Sequence, residues 1–143
     1  MKKGRPGSGR SRARRAASQA LYQWFMTGDD AAEIEVQFTA DRPMENVDLE
    51  YFHLLLHDIV KHAEDLDSTL TPNLDRPLAQ LDPVEHSILC IGCYELGYRK
   101  EVPMRVVINE AIELAKVFGA DQSHKYINSV LDRIAKTERA DGL

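Results

Sequence analysis

The sequence predicts an all-α helical bundle, and three observations carry that prediction. Apolar residues recur at three-and-four spacing along most of the chain. Proline, glycine and capping residues stand where those runs begin and end. No stretch shows the two-residue alternation, bounded by hairpin turns, that a strand would need. The size agrees, since 143 residues suit one compact domain. With 43% hydrophobic residues the chain can build a core, which excludes wholesale disorder.

Gly4, Pro6, Gly7, Ser8 and Gly9 make residues 1–10 a flexible basic tail, with one all-α domain expected over 11–143. From about Ser11, Ala13, Ala17, Ala20, Leu21, Trp24 and Phe25 share one helical face, and Gly28 ends the helix. A short amphipathic piece follows around Ile34 and Phe38. Asp48 then suits an N-cap, and Phe52, Leu55, Leu56, Ile59, Ala63, Leu66 and Leu70 form one long stripe that Pro72 stops. Leu74, Leu78 and Leu81 suit a short turn-like helix.

Asp82-Pro83-Val84-Glu85 reads as a helix start, with Asp at the N-cap, Pro at the first position and Glu85 reaching back in a capping box. Ile88, Leu89, Ile91, Tyr94 and Leu96 give that helix its apolar content, and Arg99 and Lys100 complement its negative C-terminal end. Pro103 opens the next helix, with Val107, Ile108, Ala111, Ile112, Ala115 and Phe118 inward and Gly119 as its stop. The last begins near Asp121 and carries Ile127, Val130, Leu131 and Ile134.

Charge is distributed unevenly. Residues 1–15 hold seven bases and no acid, while the other 128 hold 11 bases and all 23 acids, so the net charge of -5 hides a basic arm on an acidic body. Such an arm suits a polyanion. A functionless solvated tail and an Arg- and Ser-rich transit peptide are the competing readings. The apolar face that follows the arginines argues against a cleavable presequence. No apolar run reaches the roughly 18 residues of a membrane span, and no secretory h-region follows the charges. A cytoplasmic protein is expected.

The sequence carries fragments of catalytic and metal-binding patterns, each of them incomplete. Cys90-Ile91-Gly92-Cys93 is a CxxC inside a helix, away from the helix N-terminus that stabilises a redox thiolate. His86, Cys90 and Cys93 share a face but lack a fourth zinc ligand, so core thiols are expected. His53 and His57 have the i, i+4 spacing of a metal pair without the glutamate of a HExxH protease. There is no Walker loop, no GxGxxG and no nucleophile elbow. We expect no enzyme, no cofactor and no metal.

Binding is what survives. Arg10, Arg12, Arg14 and Arg15 straddle a helix N-terminus, where backbone N–H groups already favour anions. Ser123, Lys125, Tyr126 and Asn128 add a cation, a stacking ring and polar groups within two turns, the mixture that reads single-stranded RNA. A half-buried core tyrosine is the alternative for Tyr126.

The run Val107-Ile108-Asn109-Glu110-Ala111-Ile112-Glu113-Leu114-Ala115-Lys116, then Phe118-Gly119, then Ser123-His124-Lys125-Tyr126-Ile127-Asn128-Ser129-Val130-Leu131-Asp132, resembles the signature of the bacterial NusB antitermination family. Ala20-Leu21-Tyr22-Gln23-Trp24 after the Arg-rich start, and Tyr94-Glu95-Leu96 followed by Val102-Pro103, match in order. The resemblance spans roughly residues 10 to 136, with Ser129 standing where the family often has Gly.

It implies two antiparallel helical subdomains, and binding of boxA-type single-stranded RNA in ribosomal leaders jointly with the ribosomal protein NusE. The complex would then join the elongating RNA polymerase. By position, Arg10, Arg12, Arg14, Arg15, Ser123, Lys125 and Tyr126 match the RNA-facing surface, and Tyr22 and Glu85 match positions used toward NusE. Alternatives are a protein-interaction module, or a homodimer that masks its RNA surface. A further alternative is an accessory domain of an RNA methyltransferase; fusion to the catalytic part is not expected, because no cofactor-binding segment accompanies it, which leaves a separate methyltransferase as the partner in that reading.

Overall fold

The computed structural model describes residues 8–140 and Gly142, which fall into two compact units divided between Lys61 and His62. The glycine-rich start, residues 1–7, lies outside the described residues. Seven α-helices carry the fold, and no strand occurs among the described residues.

In the first unit, α1 (Gly9–Thr27) begins two residues before the expected point, so Arg10 is helical rather than part of a tail. Ser8 caps it, its Oγ accepting from the Ser11 N–H at 3.2 Å. Gly28 stops it in the left-handed region, φ 72°, where the absence of a Cβ removes the penalty. The α1 face packed against α3 (Leu49–Lys61) is built from Ala13, Ala17, Ala20 and Leu21, all fully buried. Small residues allow close approach; Trp24 and Phe25, expected in the core, are only half-buried. Helix α2 (Ala31–Asp41) adds only Ala31, Ile34 and Phe38, with the Phe38 ring 6.0 Å from that of Phe52. The predicted Asp48 cap forms, its Oδ1 accepting from the Tyr51 N–H at 3.0 Å.

The long stripe expected from Asp48 to Leu70 is two helices. Helical dihedrals fail at His62 (φ -104°, ψ 19°), and α4 (Ala63–Leu70) starts after it. The apolar periodicity runs through the break because both pieces bury their stripe. Pro72 then sits in a single 3-10 turn, Thr71–Asn73, and a second 3-10 turn spans Leu78–Gln80.

The second unit is organised around α5 (Pro83–Tyr98), which is buried from Ser87 to Leu96 and packs on α4, α6 (Met104–Phe118) and α7 (Ser123–Glu138). A helix apolar on every side belongs at the centre of its unit. Gly92 makes the α5–α7 contact possible: a Cβ there would stand 2.7 Å from a Leu131 methyl. Cys90 and Cys93 flank this contact as free, buried thiols. Burial pushes the Cys93 thiol up to about 12 and that of Cys90 well above its usual value. Both are core thiols, not redox groups. The C-terminal carbonyls of α5 are closed by Arg139, a residue that periodicity does not single out. Its guanidinium donates to the Leu96, Glu95 and Val102 oxygens at 2.8, 3.1 and 2.9 Å.

Candidate nucleic-acid interface

The first turns of α1 present arginines on two different sides. Arg12 and Arg15 are exposed and line a groove of about 320 Å³ together with Arg42, Gln19, Glu45 and Val47. Arg42 follows the end of α2, its guanidinium 4.1 Å from the Phe38 ring centre and donating to Gln19 Oε1 at 2.7 Å. Three guanidiniums around one groove make a forked-donor surface for phosphate oxygens. Arg42 was not singled out in the sequence because it stands alone, 27 residues from Arg15; only the return of α2 beside α1 brings it there.

Arg10 and Arg14 point elsewhere, toward Tyr51 of α3. Their guanidinium carbons lie 4.1 and 5.5 Å from its ring centre. Arg10 is half-buried, and Arg14 is 1% exposed, so its guanidinium is turned into the unit rather than out to solvent. Three apolar positions of α1 surround it in sequence (Ala13, Ala16, Ala17), and the helical period places Arg14 on their side. Backbone tightens the same corner, with the Asp48 N–H donating to the Gly9 carbonyl at 3.0 Å.

In the second unit, Tyr126 on α7 is half-buried with one face covered: the Arg76 guanidinium lies 4.3 Å from its ring centre. Asp75 holds that guanidinium through a fork, accepting from Nε at 2.6 Å and from Nη2 at 3.2 Å. The hydrogen bond from Arg76 lowers the Asp75 carboxyl, and partial burial raises the Tyr126 phenol. Lys125 is exposed beside this stack. Ser129, on the next turn, is exposed and accepts from Arg133 at 2.7 Å.

Ser123 and Glu85, expected at an RNA and a protein surface respectively, face each other. The Ser123 hydroxyl donates to Glu85 Oε2 at 2.7 Å, with both residues buried. The expected capping box at α5 is therefore half formed. Asp82 Oδ1 accepts from the Val84 N–H at 2.8 Å, while the Glu85 carboxylate turns to α7. The pair ties the first turn of α5 to the first turn of α7, and so fixes the start of the helix carrying Lys125 and Tyr126. Tyr22, by contrast, is 40% exposed on α1, one turn before Met26, which is 58% exposed.

A helical fold with an arginine-lined groove and a cation-stacked tyrosine among its described residues has the features of the polyanion-binding class of proteins. The NusB family model matches residues 11–136, and the chain belongs to the NusB family. It is 52% identical over 132 residues to the transcription antitermination protein NusB of Alcanivorax borkumensis, spanning 92% of this chain and 88% of that protein. The NusB of Histophilus somni is also 52% identical, over 130 residues and 90% of each chain. Among solved structures, T. maritima NusB matches with a TM-score of 0.77 at 31% identity, covering 88% of this chain and 89% of that one. A crystal structure of antitermination factors NusB and NusE in complex with dsRNA matches with a TM-score of 0.78 at 28% identity, covering 96% and 99%.

Proposed function

We infer that this chain is a transcription antitermination factor that binds boxA-type RNA of ribosomal leaders together with NusE, and joins the elongating RNA polymerase in the cytoplasm. It is not an enzyme, in keeping with the antitermination proteins to which it is about half identical. The observation that carries the RNA assignment is the groove in which Arg12, Arg15 and Arg42 meet at the start of α1. A relative held with NusE and RNA supports the two partners.

The mechanism follows from the two surfaces. Arg12, Arg15 and Arg42 capture phosphates, while Lys125 adds a further cation and Tyr126 offers its uncovered face to a splayed base. Arg10 and Arg14 act behind them, keeping α1 against Tyr51 and adding positive potential. Ser123 acts through Glu85 by fixing the start of α7. On the protein side, Tyr22 with Met26 forms an apolar patch for NusE, and Glu85 sets the first turn of α5. The exposure of Tyr22 and Met26 also favours the second reading, a protein-interaction module in which RNA binding is absent.

Binding of a labelled boxA RNA and a scrambled control, with and without NusE, distinguishes the two. The antitermination reading expects boxA preference, strengthened by NusE and weakened about a hundredfold or more when Arg12, Arg15 and Arg42 are changed to Ala, from about 1 kcal/mol or more for each of three lost charged contacts. A duplex of the same sequence is run alongside, because the relative was crystallised with dsRNA; tighter binding of the single strand is expected. Equal, weak binding of boxA and scrambled RNA in every arm would overturn the reading.

A further inference from the structure

The histidine pair that lacked a glutamate in the sequence acquires one in the fold. His53 and His57 lie one turn apart on α3, with ring centres 4.2 Å apart, and Glu35 reaches them from α2. His53 Nδ1 stands 2.9 and 3.0 Å from the two Glu35 carboxylate oxygens, and His57 Nε2 stands 2.7 Å from Oε1. All three ligand atoms fall within 4.8 Å of one another. We propose that Glu35, His53 and His57 form a two-histidine, one-carboxylate site for a late first-row divalent metal ion of the Zn²⁺ type, which clamps α2 to α3.

The donor chemistry selects that class of ion. Neutral imidazole suits zinc and its neighbours, whereas magnesium and calcium require oxygen ligands throughout. Around a tetrahedral ion with bonds of about 2.0–2.1 Å, ligand atoms stand about 3.3 Å apart. The histidine–carboxylate separations of 2.7–3.0 Å need to open by a few tenths of an ångström, and the two histidine nitrogens already lie within 4.8 Å of each other; rotations of the exposed His53 and the half-buried Glu35 and His57 side chains would bring the three onto one ion. His53 is 58% exposed in its side chain, so water completes the coordination sphere.

The position gives the clamp something to do. Helix α2 buries only Ala31, Ile34 and Phe38, a small apolar anchor for eleven residues. Its polar ties to α1 are exposed ones, the Gln23–Gln37 hydrogen bond at 2.9 Å and, from its C-cap, Arg42 to Gln19 at 2.7 Å. A metal ion held from both helices would supply what apolar burial leaves out. A second group, Asp67, His86 and Cys90, gathers in the other unit, but Cys90 is fully buried and its thiol is held far from the thiolate that binds metal.

The test is a calorimetric Zn²⁺ titration of the untagged full chain near pH 7.5, paired with thermal unfolding with and without Zn²⁺. The expected result is binding of about one Zn²⁺ per chain, with a rise in Tm. His53→Ala and His57→Ala should each lose at least about tenfold in affinity and the Tm rise, Glu35→Gln should bind more weakly, and His86→Ala should match the parent. His53 is an exposed helical position, so its variant keeps the fold. Absence of Zn²⁺ binding by the parent chain, retention of it in His53→Ala and His57→Ala, or its loss in His86→Ala alone would each overturn the proposal.

Discussion

Ser123 and Glu85 hold each other out of water, and each explains why the other is where it is. Removing the hydroxyl in Ser123→Ala leaves a buried carboxylate without its donor. We expect a loss of about 1–3 kcal/mol in denaturant unfolding, together with weaker RNA binding through displacement of the α7 start. Arg139 carries more, since its buried guanidinium donates to the Leu96 and Glu95 carbonyls at the end of α5 and to the Val102 carbonyl of the loop that follows. Arg139→Met should cost about 3 kcal/mol or more in the same measurement. The buried thiols make a prediction in pH. Their folded values lie above the free value of 9.0, so the unfolded chain releases those protons first as pH rises. The thiol contribution to stability is therefore complete below about pH 9 and is lost toward pH 12, and the alkaline fall in Tm should be shallower in Cys93→Ala than in the parent. At this scale the sequence was partly legible. Arg12 and Arg15 stand at the surface as their arm suggested, and the two cysteines are core thiols as their helical setting required. The turning of Arg14 inward depends on a one-residue difference in helical phase, and the arrival of Arg42 depends on tertiary structure. Neither is visible in composition.

The helices themselves follow from apolar period and end signals. Gly28, Asp48, Asp82 and Gly119 act at the helix ends where local chemistry places them. Such signals are legible because they use contacts between residues a few positions apart. The break at His62 was not legible, because the apolar stripe continues on both sides of it and no proline or glycine marks it. The stacking of Arg76 on Tyr126 was equally hidden, since it joins residues 50 positions apart. Helix contact gives a further prediction. The Leu131 methyls stand where a Cβ on residue 92 would go, at 2.7 and 2.8 Å. Because α5 is buried on all sides, it has nowhere to retreat, and Gly92→Ala should destabilise by about 1–3 kcal/mol despite its gain in helix propensity. An unchanged Tm would show that α5 and α7 are less tightly packed than described. At the exposed Ser129, by contrast, replacement by Gly should cost no more than about 1 kcal/mol, the helix-propensity difference.

Across the whole molecule the dominant fact is that an acidic chain gathers seven of its 18 bases, and no acid, in its first 15 residues. Electrostatic capture by such a surface must be sensitive to salt, because every phosphate neutralised releases counterions. The acidic remainder repels RNA and confines it to the basic surface. With about four cations on phosphates, the logarithm of affinity should fall against the logarithm of salt with a slope near -3, at about -0.7 for each contact on a single strand. The most direct measurement is that slope, taken for boxA RNA with the parent chain and with Arg12→Ala, Arg15→Ala combined. The account predicts a slope near -3 for the parent and a reduction in steepness of about 1.4 in the double variant, two contacts at about 0.7 each. A slope near zero for the parent, or the same slope in both proteins, would contradict it.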